Sequence, residues 1–109
     1  MLVLLDRDGV INRDLPRGVC APEEFEYIPR SVAAIAELKK AGHTLCITTN
    51  QSAVGKGWMT QATLDAIHAS MLREVRDAGG DIARIYAATE APDTPSFRRK
   101  PAPGMLLEA

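Results

Sequence analysis

The segment LVLLDRDGV, residues 2–10, decides the fold of this chain. Its first four residues form a continuous apolar run, which is typical of a parallel strand buried on both faces. Asp6, Asp8 and Gly9 follow directly, so this strand ends in two carboxylates and a residue that allows a tight turn. In open α/β folds, ligands bind outside the carboxyl ends of the strands. The segment therefore predicts an α/β domain with an acidic site at the end of its first strand.

Two more strands and two helices are predicted along the chain. Residues 44–49 (TLCITT) and 82–88 have the apolar, β-branched character of strands. Apolar residues at helical spacing predict helices between the strands, with Ser31 and Thr60 as N-caps. The order β-α-β-α-β predicts a parallel sheet with right-handed crossovers and helices packed on its faces. We interpret residues 1–109 as a single domain.

Composition argues against several classes of partner. Thirteen basic and fourteen acidic residues give a net charge of −1 without a basic block, so neither nucleic acid nor an anionic membrane surface is predicted as a partner. No stretch approaches the roughly 20 apolar residues that a membrane helix needs. Cys20 and Cys46 do not form a C-x-x-C pair, and no secretory signal is recognisable. We therefore expect a cytoplasmic protein with free thiols.

The pair Asp6 and Asp8 is the strongest chemical signal in the sequence. Two close ionised carboxylates repel each other, so they usually share a hard cation such as Mg²⁺ or hold a proton. In phosphoryl transfer, Asp6 would attack phosphorus and form an aspartyl-phosphate. Asp8 would protonate the leaving alcohol and then deprotonate the water that hydrolyses the intermediate. A D-x-D pair alone also fits a solvated turn, but its place after an apolar strand favours the functional interpretation.

Two other polar stretches could bind a phosphate. Residues 49–52 (TNQS) follow the second predicted strand, where a hydroxyl and backbone N–H groups can bind phosphate oxygens. Arg99 and Lys100 could neutralise phosphoryl charge further along the chain. Taken alone, the first stretch also fits a polar turn and the second a solvated surface.

Three residues of types that often carry chemistry are expected to be structural. His43 and His68 lie next to or within helical segments, and we predict no functional role for either. Trp58 and the methionines are expected to pack rather than to contact a ligand.

Three runs of the sequence together resemble a known superfamily. LLDRDGVINRD at 4–14, ITTNQSAVGKG at 47–57 and FRRKPAPGM at 97–105 occur in this order. They resemble motifs one to three of the haloacid dehalogenase superfamily and, within it, the histidinol-phosphate and heptose-bisphosphate phosphatases. The resemblance implies a Rossmann-like three-layer α/β fold. It also implies a Mg²⁺-dependent phosphomonoester phosphatase that acts on a small phosphorylated metabolite, of the heptose bisphosphate or histidinol phosphate type.

The same resemblance suggests a role for each site residue. Asp6 and Asp8 would be the catalytic carboxylates and also contribute to the metal site. Thr49 would be the motif-two residue and Lys100 the motif-three cation. The remaining matched positions are expected to line the substrate site: Asp14, Asn50, Gln51, Ser52 and Arg99.

The chain departs from the family pattern in two places. Many relatives carry a zinc loop of three cysteines and a histidine before the Arg-Lys pair, but residues 88–98 contain neither residue type, so we predict no zinc. The acidic fourth motif also has no counterpart, because no Asp follows Lys100 and Glu108 lies in a short tail. Mg²⁺ would then rest on Asp6, the backbone carbonyl of Asp8, phosphate and water.

The missing fourth motif leaves three explanations open. In the first, the sequence is a truncated piece of a longer phosphatase, in which the C-terminal part of the fold is missing. In the second, it is a degenerate, non-catalytic phosphate-binding or interaction module. A second chain could instead complete the sheet, through self-association at an exposed sheet edge. The intact motifs one to three favour truncation.

Overall fold

A computed structural model describes residues 1–90 and residue 100. In this part of the chain, three parallel strands form one sheet with the second strand in the middle. The strands are β1 (Leu2–Leu5), β2 (Thr44–Asn50) and β3 (Arg84–Ala88). The predicted α/β fold with a parallel sheet is confirmed. Because all three strands run in the same direction, their carboxyl ends lie at one edge of the sheet, where the predicted site residues follow β1 and β2.

The described helices lie on one face of the sheet. They are α1 (Ser31–Lys40), the single turn α2 (Ser52–Gly55) and α3 (Gln61–Asp77), and a 3₁₀ turn spans Pro22–Glu24. The connection from β1 to β2 and the connection from β2 to β3 run in the same direction across the sheet. Because such connections are right-handed, α1 and α3 lie on the same side of the sheet, where they contact each other. The described residues form two layers, and the predicted third layer lies outside them. None of the described helices is long and apolar enough to cross a membrane.

The main core lies between the sheet and this helical layer. Its members are apolar side chains that are at most 2% exposed, contributed by α1, β2, α3 and the loops next to β1 and β3: Ile11, Ile35, Leu45, Ile47, Met71, Val75 and Ile82. Burial of such side chains stabilises a fold by about 1.5–3 kcal/mol each. The core therefore fixes β2 and α3 as rigid supports for the site. Cys20 and Cys46 are free thiols, as expected.

The burial of β1 differs from the prediction. Leu2 and Leu4 are 48% and 37% exposed, whereas Val3 and Leu5 pack against the core. Successive side chains of a strand point to opposite faces, and the described helices cover only one of these faces. In the part of the chain that the structure describes, β1 is therefore buried on one face only, contrary to the prediction. Burial on both faces is found for most of β2, in which residues 45–49 are all buried.

The helix termini confirm one predicted cap and contradict another. Thr60 is the N-cap of α3, and its Oγ1 accepts a hydrogen bond from the backbone N–H of Thr63 at 3.1 Å. The N-cap of α1 is Arg30, in a left-handed conformation with φ +72°, and not Ser31. The hydroxyl of Ser31 instead donates to the carbonyl of Ile11 at 3.0 Å, which ties α1 to the loop after β1.

Candidate active site

A cavity of about 330 Å³ opens at the carboxyl ends of β1 and β2. All the predicted site residues that the structure describes line this cavity: Asp6, Asp8, Asp14, Thr49, Asn50, Gln51, Ser52 and Lys100. Arg99 lies outside the described residues. Residues separated by up to 94 positions in the chain are thus gathered at one sheet edge. The topology explains this, because the ends of neighbouring parallel strands meet there.

A tight turn brings the chain out of β1 immediately after Asp8. Gly9 has φ +83°, a conformation that a side chain would strain. The carbonyl of Arg7 accepts from the backbone N–H of Ile11 at 2.8 Å, and the N–H of Gly9 donates to the carbonyl of Asn12 at 2.8 Å. These bonds fix the backbone around both carboxylates.

Asp6 faces the cavity with one oxygen engaged. Its Oδ1 accepts from the backbone N–H of Arg7 at 2.8 Å and lies 3.4 Å from Nζ of Lys100. Its side chain is 49% exposed, so the carboxylate is accessible to a ligand in the cavity. Within the described part of the chain, both contacts involve Oδ1. Oδ2 is therefore the carboxylate oxygen without a hydrogen-bond or ion-pair partner among the described residues.

Asp8 is held much more tightly than Asp6. Its Oδ1 accepts from Nε and Nη2 of Arg7 at 3.2 and 2.7 Å, and from Nδ2 of Asn12 at 2.9 Å. Its Oδ2 accepts from Nε2 of Gln51 at 2.9 Å. Both carboxylate oxygens thus have donors. The side chain could bind a metal only by giving up one of these bonds, and the backbone carbonyl is the better candidate ligand.

Gln51 joins the ends of the two strands. Its Nε2 donates to Oγ1 of Thr49 at 2.9 Å as well as to Asp8, and both Gln51 and Thr49 are buried. Because Oγ1 of Thr49 accepts from Gln51, the Thr49 hydroxyl can donate its own hydrogen to a ligand. The amide nitrogen of Gln51 is therefore occupied by the protein, although the residue lines the cavity.

Asn50 holds the segment that carries Lys100. Its Oδ1 accepts from the backbone N–H of Lys100 at 2.8 Å, and its Nδ2 donates to the carbonyl of Lys100 at 3.1 Å. This two-way pairing fixes the backbone from which the lysine reaches Asp6. Asn50 lines the cavity as predicted, but its amide serves the neighbouring chain.

Three buried polar residues beneath the site were not among the predicted site residues. Arg7 and Asn12 are 0% exposed, and His68 of α3 is 9% exposed. Nη1 of Arg7 lies 3.0 Å from Nε2 of His68. The strand alternation offered a signal for Arg7, because a residue between two outward carboxylates points toward the core. No local signal marks His68, for which we predicted no role.

Trp58 lies at the mouth of the cavity instead of in the core. It is 44% exposed and lines the cavity. The guanidinium of Arg17 and the ammonium of Lys56 lie 5.1 and 4.5 Å from the centre of its ring. The prediction that Trp58 packs rather than contacts a ligand stays a prediction, while Met59 and Met71 are buried as expected. Two cations and an aromatic ring form the rim of the site.

The donor set at the strand ends fits a Mg²⁺ ion only in part. Among residues 1–90 and 100, no group of three or more Asp, Glu, His or Cys side chains could hold a metal by itself. Mg²⁺ commonly binds through one or two carboxylates together with phosphate oxygens and water. Asp6 and the backbone carbonyl of Asp8 match that pattern. The prediction of no zinc stays a prediction, because most of residues 88–98 lie outside the described part.

This fold and site define a class of protein. An N-terminal strand that ends in D-x-D, a hydroxyl at the next strand end and a lysine beside the first carboxylate are the features of haloacid dehalogenase-type phosphatases. The profile of a family described as "Polynucleotide kinase 3 phosphatase" matches residues 6–109. The chain belongs to this family.

Relatives and solved structures support the same placement. A D-glycero-beta-D-manno-heptose-1,7-bisphosphate 7-phosphatase of Pseudomonas putida is 46% identical over 105 residues, which are 96% of this chain and 60% of the relative. The crystal structure of D,D-heptose 1,7-bisphosphate phosphatase from B. bronchiseptica, complexed with magnesium and phosphate, is 41% identical with a TM-score of 0.95, and the match covers 98% of this chain and 60% of that one. A protein from Mesorhizobium loti described as a HAD-like phosphatase is 33% identical with a TM-score of 0.81, over 98% and 54% of the two chains.

These comparisons confirm the resemblance to the haloacid dehalogenase superfamily and to its heptose-bisphosphate phosphatases. The chain spans about 60% of the length of the curated relatives it matches.

Proposed function

We propose that this chain carries the phosphoryl-transfer site of a Mg²⁺-dependent phosphatase that acts on a sugar bisphosphate. The observation that carries the proposal is the arrangement of Asp6, with one oxygen paired to Lys100 at 3.4 Å and the other available in a cavity lined by Thr49 and Asp8. A nucleophile, a cation and a hydroxyl donor around one cavity are the groups that phosphoryl transfer requires.

In the first step, Oδ2 of Asp6 attacks phosphorus, and the bond between phosphorus and the ester oxygen breaks. Lys100 and the Thr49 hydroxyl bind the phosphoryl oxygens, which carry the developing negative charge. The product is a phosphoryl group on Asp6. The backbone N–H of Arg7 holds Oδ1 of Asp6 throughout, so the attacking oxygen keeps its direction.

Asp8 supplies and removes the protons. It gives a proton to the departing ester oxygen, which leaves as an alcohol. It then takes a proton from water, and the water oxygen attacks the phosphoryl group, restoring Asp6 and releasing inorganic phosphate. Oδ1 of Asp8 is occupied by three hydrogen bonds. Oδ2, which among the described residues accepts only from Gln51, is therefore the oxygen that carries the proton.

Mg²⁺ would be held by the Asp6 carboxylate and the backbone carbonyl of Asp8, with the substrate phosphate and water completing its coordination. When bound, it would neutralise phosphate charge and allow the anionic carboxylate of Asp6 to approach. The magnesium and phosphate named for the B. bronchiseptica phosphatase support this choice of metal.

The rim of the cavity favours a substrate with a second phosphate. Arg17 and Lys56 line the cavity beside the Trp58 ring and bring two positive charges in addition to Lys100. Charged donors of this kind pair well with phosphate. The relatives named as heptose 1,7-bisphosphate 7-phosphatases support a heptose bisphosphate more than histidinol phosphate.

Release of inorganic phosphate from purified protein, measured with Mg²⁺, tests this proposal. The substrates are a heptose 1,7-bisphosphate, the matching monophosphate and histidinol phosphate. We expect the bisphosphate to give the highest kcat/KM, and Asp6→Asn to abolish turnover. Phosphate binding without turnover, in a protein that is folded, would instead support the non-catalytic phosphate-binding module.

The covalent intermediate has its own test. In Asp8→Asn, an aryl phosphate with a good leaving group can still phosphorylate Asp6, but water is not activated. We expect the protein to gain the mass of one phosphoryl group under these conditions, and no gain in the Asp6→Asn, Asp8→Asn double variant. A gain of mass that survives in the double variant would rule out Asp6 as the nucleophile.

A further inference from the structure

We propose that Arg7 and His68 form a buried positioning pair that holds the Asp8 carboxylate with Oδ2 turned toward the substrate. This inference rests on the proposed phosphatase function and deepens it. It assigns a part in catalysis to a residue of α3, far from the sequence motifs that identify the site.

The guanidinium of Arg7 is buried in a way that needs an explanation. It is 0% exposed, and a buried charge is costly unless it is fully paired. Two of its nitrogens donate to Oδ1 of Asp8, the third contacts His68, and its central carbon lies 5.7 Å from the ring centre of Phe25. Each of the three guanidinium nitrogens thus has a partner among the described residues. Because none of these partners is solvent, the group cannot rotate without losing several interactions.

The contact with His68 fixes the state of its ring. A guanidinium has only donors, so Nε2 of His68 must be the acceptor of the 3.0 Å bond from Nη1. The hydrogen of the neutral ring then lies on Nδ1. Burial and the charge of Arg7 lower the pKa of His68 to about 4, which agrees with a neutral ring near pH 7. His68 is therefore suited to anchor Arg7 without adding a second positive charge.

The pair leaves Asp8 with one orientation. Two nitrogens of Arg7 donate to Oδ1, and Asn12 adds a third donor. Gln51, at the end of the neighbouring strand, donates to Oδ2. The side chain is only 17% exposed, yet it lines the cavity. A general acid must be held in reach of the leaving oxygen, and a small displacement can cost a large factor in rate. Arg7 is thus the rigid support of Asp8, and His68 links this support to α3.

A positioning role and a purely structural role of the pair predict different effects on the rates. The two roles can be distinguished by how the loss of rate depends on the leaving group of the substrate. Protonation of the leaving oxygen matters greatly for an alkyl phosphate but little for an aryl phosphate with a good leaving group. The parameter kcat/KM reports the step in which this bond breaks. Loss of the positioning pair should therefore affect the alkyl ester selectively, whereas simple destabilisation should reduce both rates equally.

The experiment compares His68→Leu, His68→Gln and Val75→Ala in the same protein. His68→Leu removes the acceptor of Arg7, whereas the side-chain oxygen of His68→Gln can replace it. Val75→Ala creates a cavity on the same helix, about 10 Å further along, and serves as the stability control. We expect His68→Leu to lose roughly 10-fold or more in kcat/KM on the alkyl ester relative to the aryl ester. We expect His68→Gln to recover most of this loss, and Val75→Ala to leave the ratio unchanged.

Nitrogen NMR of the His68 ring in the wild-type protein near pH 7 tests the inference without turnover. We expect the Nδ1–H tautomer and a slowly exchanging Arg7 Nη proton that is lost in His68→Leu. If no ester is cleaved but these signals are present, the phosphatase proposal fails while the buried pair stands. If esters are cleaved but the ring carries its hydrogen on Nε2, or if His68→Leu lowers both rates equally, the inference is overturned.

Discussion

Replacing His68 by glutamine is expected to change how the free energy of unfolding depends on pH. Burial, and then the charge of Arg7, lower the pKa of His68 from 6.5 to about 4 in the folded protein, against weaker opposite effects of Asp65 and Asp8. Between these two values the unfolded chain binds a proton at His68 and the folded chain does not. The stability contributed by the neutral ring is therefore fully present above pH 6.5 and is lost as the pH falls toward 4.

The size of this effect follows from the pKa difference. A fall from 6.5 to about 4 corresponds to about 3.4 kcal/mol, at about 1.36 kcal/mol per pKa unit. The full loss is reached only below the folded pKa, and about 2 kcal/mol is lost by about pH 5. Glutamine does not titrate in this range, so a His68→Gln variant lacks this loss, and its side-chain oxygen can still accept from Arg7.

Urea unfolding of the wild type and of His68→Gln at about pH 8 and about pH 5 measures the effect. Between these two conditions, we expect the wild type to lose about 2 kcal/mol more than the variant. An NMR titration of the His68 ring in the folded protein provides the control, since it reports the folded pKa directly. Parallel losses of stability in the two proteins would refute the argument that His68 is kept neutral by its surroundings.

Three substitutions test the local structure, each by the free energy of unfolding in urea. Thr60→Ala removes the N-cap of α3 and is expected to cost about 1 kcal/mol, while Thr60→Ser retains the cap; equal losses would contradict the capping bond. Gly80→Ala would place a Cβ 3.0 Å from the side chains of Ile35 and Val75 and is expected to cost about 1–3 kcal/mol, unless the core can relax. Gly9→Ala puts a Cβ, without any contact within 4 Å, at a residue with φ +83°, so the expected cost of about 1–2 kcal/mol comes from backbone strain alone. An unchanged free energy of unfolding would show that the turn can adopt another conformation.

The fold was largely predictable because its signals are local. Apolar runs that end in polar residues located all three strands, and a hydroxyl residue before an apolar helical stripe located the start of α3 at Thr60. The cap of α1 was misassigned at Ser31, because a hydroxyl at a helix start can cap the helix or bond elsewhere. Its partner, the carbonyl of Ile11, lies 20 residues away in the sequence and cannot be recognised from the local pattern.

Burial was the least predictable property, since it depends on which elements cover a surface. Leu2 and Leu4 have the same apolar character as Val3 and Leu5, yet only the second pair faces the helices. Trp58 is a further example: its residue type does not show whether it lies in a core, and here it lies partly exposed at the rim of the cavity beside two cations.

The sequence by itself determined which residues could do the chemistry. The spacing of Asp6 and Asp8 at a strand end, and the polar residues that follow the next strand, follow from strand periodicity and from the rule that parallel strands share a carboxyl edge. Only the tertiary structure decided how these groups are held. Gln51 serves Asp8 and Thr49, and His68 reaches Asp8 through Arg7 across 61 residues of sequence. The first contacts arise because β1 and β2 lie side by side, and the second arises from the packing of α3 on the sheet. Hydrogen-bond partners that are distant in sequence leave no periodic pattern in the sequence.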